Sequence, residues 1–269
     1  MNVTETIFVK LGGSLITDKT RPYTPRLATI ERLATEIRQA LDDSPHLRLV
    51  IGHGSGSFGH WAAHPYGTRQ GVFTPEQWRG YVEVAAAASR LNRIVCDAFL
   101  QADVPVWSLP PSASARCRDG VLFTMETTPL RVALEHRLVP LVYGDVALDE
   151  QRGGTIISTE DIFVFLADVL HPVRILLLGE VPGVLDASGA LIPHITPANF
   201  ATWRDVLGNS RGVDVTGGMM DKVTQMTTLV QQHPQSQVYI LAGTEPGTLV
   251  QALRDPASIV GTCIAAESG

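Results

Sequence analysis

Short apolar runs alternate with longer stretches in which apolar residues recur every three or four positions. The first run, Thr6 to Leu11, breaks into Gly12-Gly13-Ser14. Leu27, Ile30, Leu33, Ala34, Ile37 and Leu41 then share one face of a helix, and Thr24-Pro25 before them reads as an N-cap followed by a first-turn proline. Leu47 to Ile51 is a second buried strand. Strand, helix and strand in this order predict parallel strands joined by a right-handed crossover.

The alternation continues. Residues 61–73 read as loop or irregular helix. Thr74-Pro75-Glu76 caps a long helical pattern through Val82, Ala85, Ala86, Leu91, Ile94, Val95 and Phe99, and Val104 to Leu109 is a third core strand. Pro110 to Glu126 reads as loop with a hairpin around Arg118-Asp119-Gly120. A helix from Thr128-Pro129 to Arg137 precedes a strand, Leu138 to Tyr143, that ends in Gly144-Asp145. Gly153-Gly154 interrupts the chain. Ser158 or Thr159 caps a helix with Glu160 and Asp161 in its first turn, where acids suit the helix dipole. Arg174 to Leu178 is a strand that opens into a turn-rich connection, Gly179 to Leu185. A short helix near Ala198–Leu207, a helix from Met219 to Gln232, a strand at Val238–Leu241, a short helix at Thr248–Leu253 and a strand at Ile259–Ala265 complete the pattern. This is an α/β protein with a soft division near residues 144–158, giving an N-terminal lobe, 1–150, and a C-terminal lobe, 151–269, on one continuous sheet.

The composition narrows the possibilities. The 269 residues are 45% hydrophobic and 18% charged, which is ordinary for a globular chain, and the net charge of −6 offers no basic footprint for nucleic acid. Cys96, Cys117 and Cys263 lie far apart without a CxxC pair. That argues against zinc or a disulfide framework and fits a reducing cytoplasm. No apolar run approaches the ~20 residues of a membrane span, and the N-terminus lacks the basic start of a signal peptide.

The candidate chemistry sits where strands end in glycine. After the strand at 47–51 comes Gly52-His53-Gly54-Ser55-Gly56-Ser57-Phe58-Gly59-His60, a loop rich in free N–H groups with a titratable ring near each end. Such a loop suits a phosphorylated ligand. Its G-x-G-x-x-G spelling is the dinucleotide fingerprint, but it follows the second strand and is succeeded by a helix, where that fingerprint needs a strand ending in an acid. No G-x-x-x-x-G-K-[ST] occurs. His60 is the sharpest candidate, since its ring can donate to a phosphate oxygen. Lys10 with Gly12 and Gly13 forms a second anion loop, Lys19 adds charge nearby, and Gly217-Gly218 with Lys222 aims a helix N-terminus and an ammonium at one point. Asp161 is placed to hold two such lysines, with Asp145 a rival for that duty or for a metal.

Taken together and in order, Lys10-Leu-Gly-Gly-Ser14-Leu-Ile-Thr-Asp-Lys19, His53-Gly-Ser-Gly-Ser-Phe-Gly-His60, Tyr143-Gly-Asp-Val146 and Asp214-Val-Thr-Gly-Gly218 with Lys222 resemble the amino acid kinase superfamily, and within it the isopentenyl phosphate kinase branch. The resemblance covers nearly the whole chain. It implies a three-layer αβα sandwich with a mainly parallel central sheet of about eight strands, assembled as a homodimer. It also implies an acceptor-binding N-terminal lobe, an ATP-binding C-terminal lobe, and Mg²⁺- and ATP-dependent conversion of isopentenyl phosphate, an isoprenoid monophosphate, to the diphosphate. By motif match, Lys10, Gly12, Gly13, Ser14, Ser55, Glu180, Gly183, Gly217 and Lys222 would face ATP. Gly54, Gly59, His60 and Thr159 would face the acceptor, and Lys10, Lys19, Lys222, His60 and Asp161 would carry catalysis, with no residue assigned as a metal ligand. Two stretches depart from the family pattern: Ser158-Thr159-Glu160-Asp161 stands for Ser-Gly-Asp-Asp, and Gly179-Glu180-Val181-Pro182-Gly183 for Thr-Asp-Val-Asp-Gly. Rival readings are a kinase of another small phosphate or phosphonate, such as fosfomycin, and a non-catalytic nucleotide-binding regulator. The apolar slot for a lipid tail is expected along the helix at 74–99, with Val82, Ala85–Ala88 and Leu91 as its wall.

Overall fold

The computed structural model describes residues 5–203 and 218–267. The first part runs β1 (Thr6–Leu11), α1 (Gly13–Ile16), α2 (Leu27–Asp43), β2 (Arg48–His53), α3 (Gly56–Ala63), α4 (Pro75–Gln101), β3 (Val106–Ser108), β4 (Arg116–Arg118), β5 (Val121–Thr124), α5 (Thr128–Glu135) and β6 (Val139–Tyr143). It continues with β7 (Asp145–Asp149), β8 (Gly153–Ile157), α6 (Thr159–Leu170), β9 (Arg174–Gly179), β10 (His194–Ile195), α7 (Gly218–Gln232), β11 (Gln237–Ala242), α8 (Thr248–Arg254) and β12 (Thr262–Ile264).

Eight strands form the central sheet in the order β10-β12-β11-β9-β1-β2-β6-β3. All its pairings are parallel except β11 with β12. Strands drawn from residues 1–150 occupy one half of the order and those from 151–269 the other, meeting where β1 lies beside β9. The inner strands β1, β2, β6, β9 and β11 are buried on both faces over most of their length, which explains their near-continuous apolar sequences. Successive residues serve opposite layers. Ile7, Val9 and Leu11 pack with α2, α4 and α8 residues such as Ile30, Leu91 and Leu249, whereas Phe8 packs with Phe163 of α6 and Met226 of α7. This is the expected three-layer sandwich.

Helix starts show which local signals prevail. α4 begins with a complete capping box between Thr74 and Gln77 and a proline in its first turn. α2, in contrast, starts at Leu27 rather than at Thr24-Pro25. Pro25 bridges Thr17 in antiparallel fashion and Thr24 donates its N–H to Ser57 Oγ at 3.2 Å, so the expected cap is held in extended structure. α8 has its first N–H groups met by the buried carboxylate of Glu36 on α2, which accepts from Leu249 N at 2.9 Å and Val250 N at 3.2 Å.

Several elements depart from the sequence reading, among them α1, β7 and β10, which stand where it predicts none. Gly56–Ala63, read as loop, is the helix α3. Gly153-Gly154, read as a break, opens β8 of a second sheet in the order β5-β4-β7-β8. The hairpin around Asp119-Gly120 is present as the β4–β5 turn, with positive φ at both residues. Among the described residues no helix is long and apolar enough to cross a membrane.

Candidate active site

Five strands of the central sheet run directly into glycine at one edge. Gly12 follows β1, Gly54 follows β2, Gly144 follows β6, Gly179 ends β9 and Gly243 follows β11. Backbone hydrogen bonds tie these ends to their neighbours: Gly12 N to Leu178 O at 2.8 Å, Gly54 N to Leu11 O at 3.1 Å, Gly144 N to His53 O at 3.0 Å and Gly243 N to Gly179 O at 2.8 Å. Open α/β sheets bind ligands at this carboxyl edge.

The two anion loops touch. A Cβ on Gly13 would lie 2.6 Å from Gly56 N, and one on Gly54 would lie 3.0 Å from Gly13 N. Only glycine permits that approach of backbone to backbone. Thr17 fastens the pair: its Oγ1 donates to Gly13 O at 2.6 Å and accepts from Ser57 N at 2.9 Å. Gly59 sits in α3, where any Cβ would collide with the Ser55 side chain.

A cavity of about 520 Å³ opens on these loops. Its lining includes Gly13, Lys19, Gly54, Ser55, Gly59 and His60, together with Ala63, His64, Thr68, Arg69, Gln70, Val84, Ala88, Asp145 and Ile156. His60 is exposed on α3, its ring centroid 6.1 Å from that of His64 one turn on. The i,i+4 relation is the signal that would have found His64, and it was hidden because the stretch reads as loop. On α4 the cavity is lined by Val84 and by Ala88, the end of the expected Ala85–Ala88 run. Val82 is 63% exposed on the outer side and Leu91 is fully buried in the core. Asp145 accepts N–H groups from Ser112 at 3.1 Å and Val146 at 2.9 Å, and burial raises its carboxyl above the ordinary range.

Lys10, buried near the end of β1, forms an ion pair with Glu160 in the first turn of α6. Burial tends to raise the Glu160 carboxyl. The attraction of Lys10, and then of Lys222 in the first turn of α7, outweighs it and holds the group below the usual glutamate range. The acid paired with Lys10 is Glu160, the neighbour of the expected Asp161. Asp161 Oδ2 closes a capping box with Ser158, accepting its N–H and its hydroxyl at 2.7 Å each, and Oδ1 accepts from Gln225 at 2.7 Å. Adjacent helical positions point about 100° apart, so the two acids meet different partners in these contacts.

Other expected residues fall as follows. Thr159 is buried and donates Oγ1 to His53 O at 2.7 Å, bracing α6 to β2, and it is not among the residues lining the cavity. Glu180 is engaged by Arg26 at 2.5 Å across the sheet edge. Gly183 is accounted for by packing, since a Cβ there would lie 2.6 Å from both Leu191 and Thr262 side chains. Ser14 lies in α1 beside Gly13. Gly217 lies outside the described residues, next to the start of α7. His53 is fully buried with Nδ1 3.1 Å from Gly54 O and Nε2 3.3 Å from Asn92 Oδ1; burial pushes its pKa down to about 4, so the ring is neutral and structural.

The site is thus a pair of interlocked glycine loops at a sheet edge. The buried Lys10–Glu160 pair lies beside them, and a half-apolar cavity lined by Lys19 and His60 opens on them. This arrangement defines a protein that handles phosphoryl groups on an α/β sheet. The sequence profile of the amino acid kinase family matches residues 5–241, and the chain belongs to that family. It is 37% identical over 252 residues to the isopentenyl phosphate kinase of Haloferax volcanii, covering 91% of this chain and 98% of that one. It is 34% identical over 222 residues to the isopentenyl phosphate kinase of Methanocaldococcus jannaschii, covering 80% and 84%. A solved isopentenyl phosphate kinase structure superposes with a TM-score of 0.80 at 29% identity, over 97% of this chain and 100% of the other.

Proposed function

We propose that this protein transfers the γ-phosphoryl group of ATP to isopentenyl phosphate, giving isopentenyl diphosphate and ADP. One observation carries the reading: Lys19, His60 and both glycine loops share a single cavity with Val84, Ala88 and Ile156. Phosphate donors beside a hydrocarbon wall suit a small monophosphate with an apolar tail. The relatives named above support the same acceptor.

The acceptor phosphate is itself the nucleophile, so no strong base is needed and catalysis rests on positioning and charge stabilisation. Gly54, Gly59 and His60 hold the acceptor phosphate. Lys10, the N–H groups of Gly13 and Ser14, and Ser55 hold the nucleotide phosphates, with Gly12 leaving room for them, and Gly217, Glu180 and Gly183 lie beside the rest of the nucleotide. Lys19 and Lys222 stabilise the transferring group, and Glu160 keeps Lys10 and Lys222 apart and oriented. The interlocked glycines fit a polyphosphate laid against the backbone. Mg²⁺, bound largely through nucleotide oxygens and water, would neutralise charge there.

We assign acceptor binding to residues 1–150 and ATP binding to 151–269, and expect a homodimer in the cytoplasm, to be checked by light scattering and fractionation. The decisive experiment offers Mg-ATP with isopentenyl phosphate, a small phosphonate and no acceptor. ADP release with isopentenyl phosphate at least tenfold faster than with the phosphonate supports the reading. The reverse order removes it.

A further inference from the structure

Lys19 reaches the cavity from a hairpin, residues 17–25, between α1 and α2. Thr17 and Pro25 pair across its base, Asp18 N donates to Thr24 O at 2.9 Å, and Arg26 N donates to Ile16 O at 2.8 Å. Near the tip, Asp18 Oδ1 accepts from Thr20 N at 2.9 Å and from the Thr20 hydroxyl at 2.6 Å, which fixes the backbone on either side of Lys19. Residues 19–23 are all exposed. These local bonds give the hairpin its shape but not its tilt over the cavity.

The tilt is set at Tyr23. Its ring meets Phe58 of α3 edge-on, with centroids 5.6 Å apart and planes at 81°, and the Arg90 guanidinium of α4 lies over it, 5.2 Å from its centroid. Both are favourable aromatic geometries. Thr24 N adds its bond to Ser57 Oγ. Phe58 stands two residues before His60 and Arg90 two after Ala88, so one ring joins the hairpin to both helices that line the cavity. Tyr23 also adopts φ 52°, a left-handed backbone that a bulky side chain disfavours. Such a conformation persists where the surroundings over-determine it, and the contacts of the ring do so here.

We propose that Tyr23 is a positioning residue: held between Phe58 and Arg90, it aims Lys19 at the transferring phosphoryl group. A lysine is a point charge on a flexible stem. Where its ammonium rests depends on where its backbone is held, and a displacement of ~1 Å costs up to about 10²-fold in rate. This rests on reading Lys19 as a catalytic cation of the proposed kinase reaction.

The test uses Tyr23→Ala, Tyr23→Phe, Arg90→Met, Lys19→Met and the double variant of Lys19→Met with Tyr23→Ala. Each is assayed for ADP release with Mg-ATP and isopentenyl phosphate. Those that keep Lys19 are also treated briefly with trypsin, and cleavage after Lys19 is followed by mass spectrometry. Tyr23→Ala is expected to lower kcat about tenfold and to leave KM for isopentenyl phosphate unchanged, since His60 still holds the acceptor. Tyr23→Phe keeps the wild-type kcat, and Arg90→Met falls between. The double variant is no slower than Lys19→Met, because residues that act through one another are not additive. Trypsin cuts Tyr23→Ala after Lys19 about tenfold faster than wild type and Tyr23→Phe at the wild-type rate. Losses that add in the double variant overturn the inference. If Tyr23→Ala does not fold, Arg90→Met decides alone, and wild-type kcat and cleavage in that variant overturn it. If even the wild type releases no ADP while trypsin separates Tyr23→Ala from Tyr23→Phe as expected, the kinase reading falls and the clamp on the hairpin stands. ADP release by the wild type with a kcat insensitive to Tyr23→Ala does the reverse.

Discussion

Lys10 and Glu160, 150 positions apart, form a buried ion pair that joins the central strand of the sheet to the first turn of α6. Their side chains are 11% and 9% exposed. Removing one partner of such a pair strands the other in a dry site, at about 3–5 kcal/mol. Glu160→Gln should lower stability by that order in urea unfolding and reduce turnover as Lys10 loses its orientation. Lys10→Met combined with Glu160→Leu should recover most of the stability and none of the activity. Near-native turnover in Glu160→Gln would return the ordering role to another acid.

His60→Ala should leave the unfolding midpoint within about 1 °C, because surface substitutions away from special features change stability little. It should cut kcat/KM by about 100-fold or more through loss of a charge-assisted bond to the acceptor phosphate. A rate within threefold of wild type would take His60 out of the mechanism. Lys222→Met should be harsher, approaching the ~10³-fold seen when a cation is withdrawn from a phosphoryl transfer, measured as ADP release at saturating ATP.

His53 gives the fold a pH dependence. Its ring titrates near 6.5 when unfolded and near 4 when buried, so between these values the unfolded chain binds a proton that the folded chain refuses. Stability is therefore full above pH 6.5 and falls as pH drops toward 4, by at most ~3 kcal/mol from this group. Urea midpoints at pH 7 and 4.5 should show the loss, and His53→Gln should flatten it while lowering stability at both. An unchanged slope in that variant would assign the acid sensitivity elsewhere.

Gly59→Ala should destabilise although alanine favours helices, because the new methyl meets the Ser55 side chain; overpacking of this kind costs about 1–3 kcal/mol. Ser55→Gly in the same chain should relieve it, as read from thermal midpoints. If Ser55→Gly brings no recovery, the conflict lies with other neighbours.

The parts of this fold that were legible in the sequence are those where local and tertiary preferences agree. α4 announces itself because Thr74, Pro75 and Gln77 cap it and its apolar residues keep a helical period. α3 was illegible because Gly56, Ser57 and Gly59 are poor helix formers. It forms because Phe58 is 4% exposed in the core and Ser57 N finds Thr17. β8 looked like an interruption because it opens with two glycines. Gly153 adopts φ +71 and Gly154 lies flat against Tyr81, so the glycines admit the strand rather than break it. The sequence names the glycine loops, Lys19 and His60 as neighbours, and the structure brings them to one cavity. The choice between Glu160 and Asp161 could not be read there. Either acid suits a first helical turn, and only the approach of Lys10 from β1 separates them.

The adjacency of β1 and β2, with Leu11 in register with His53, has a metric consequence. One glycine loop leaves each strand, and neighbouring parallel strands are spaced about 4.8 Å apart. The sheet therefore acts as a ruler. On the proposed assignment, donor and acceptor phosphates resting on successive strand ends are set about one strand width apart by the backbone itself. Substitutions in the cavity can change which molecule brings the acceptor phosphate without altering that distance.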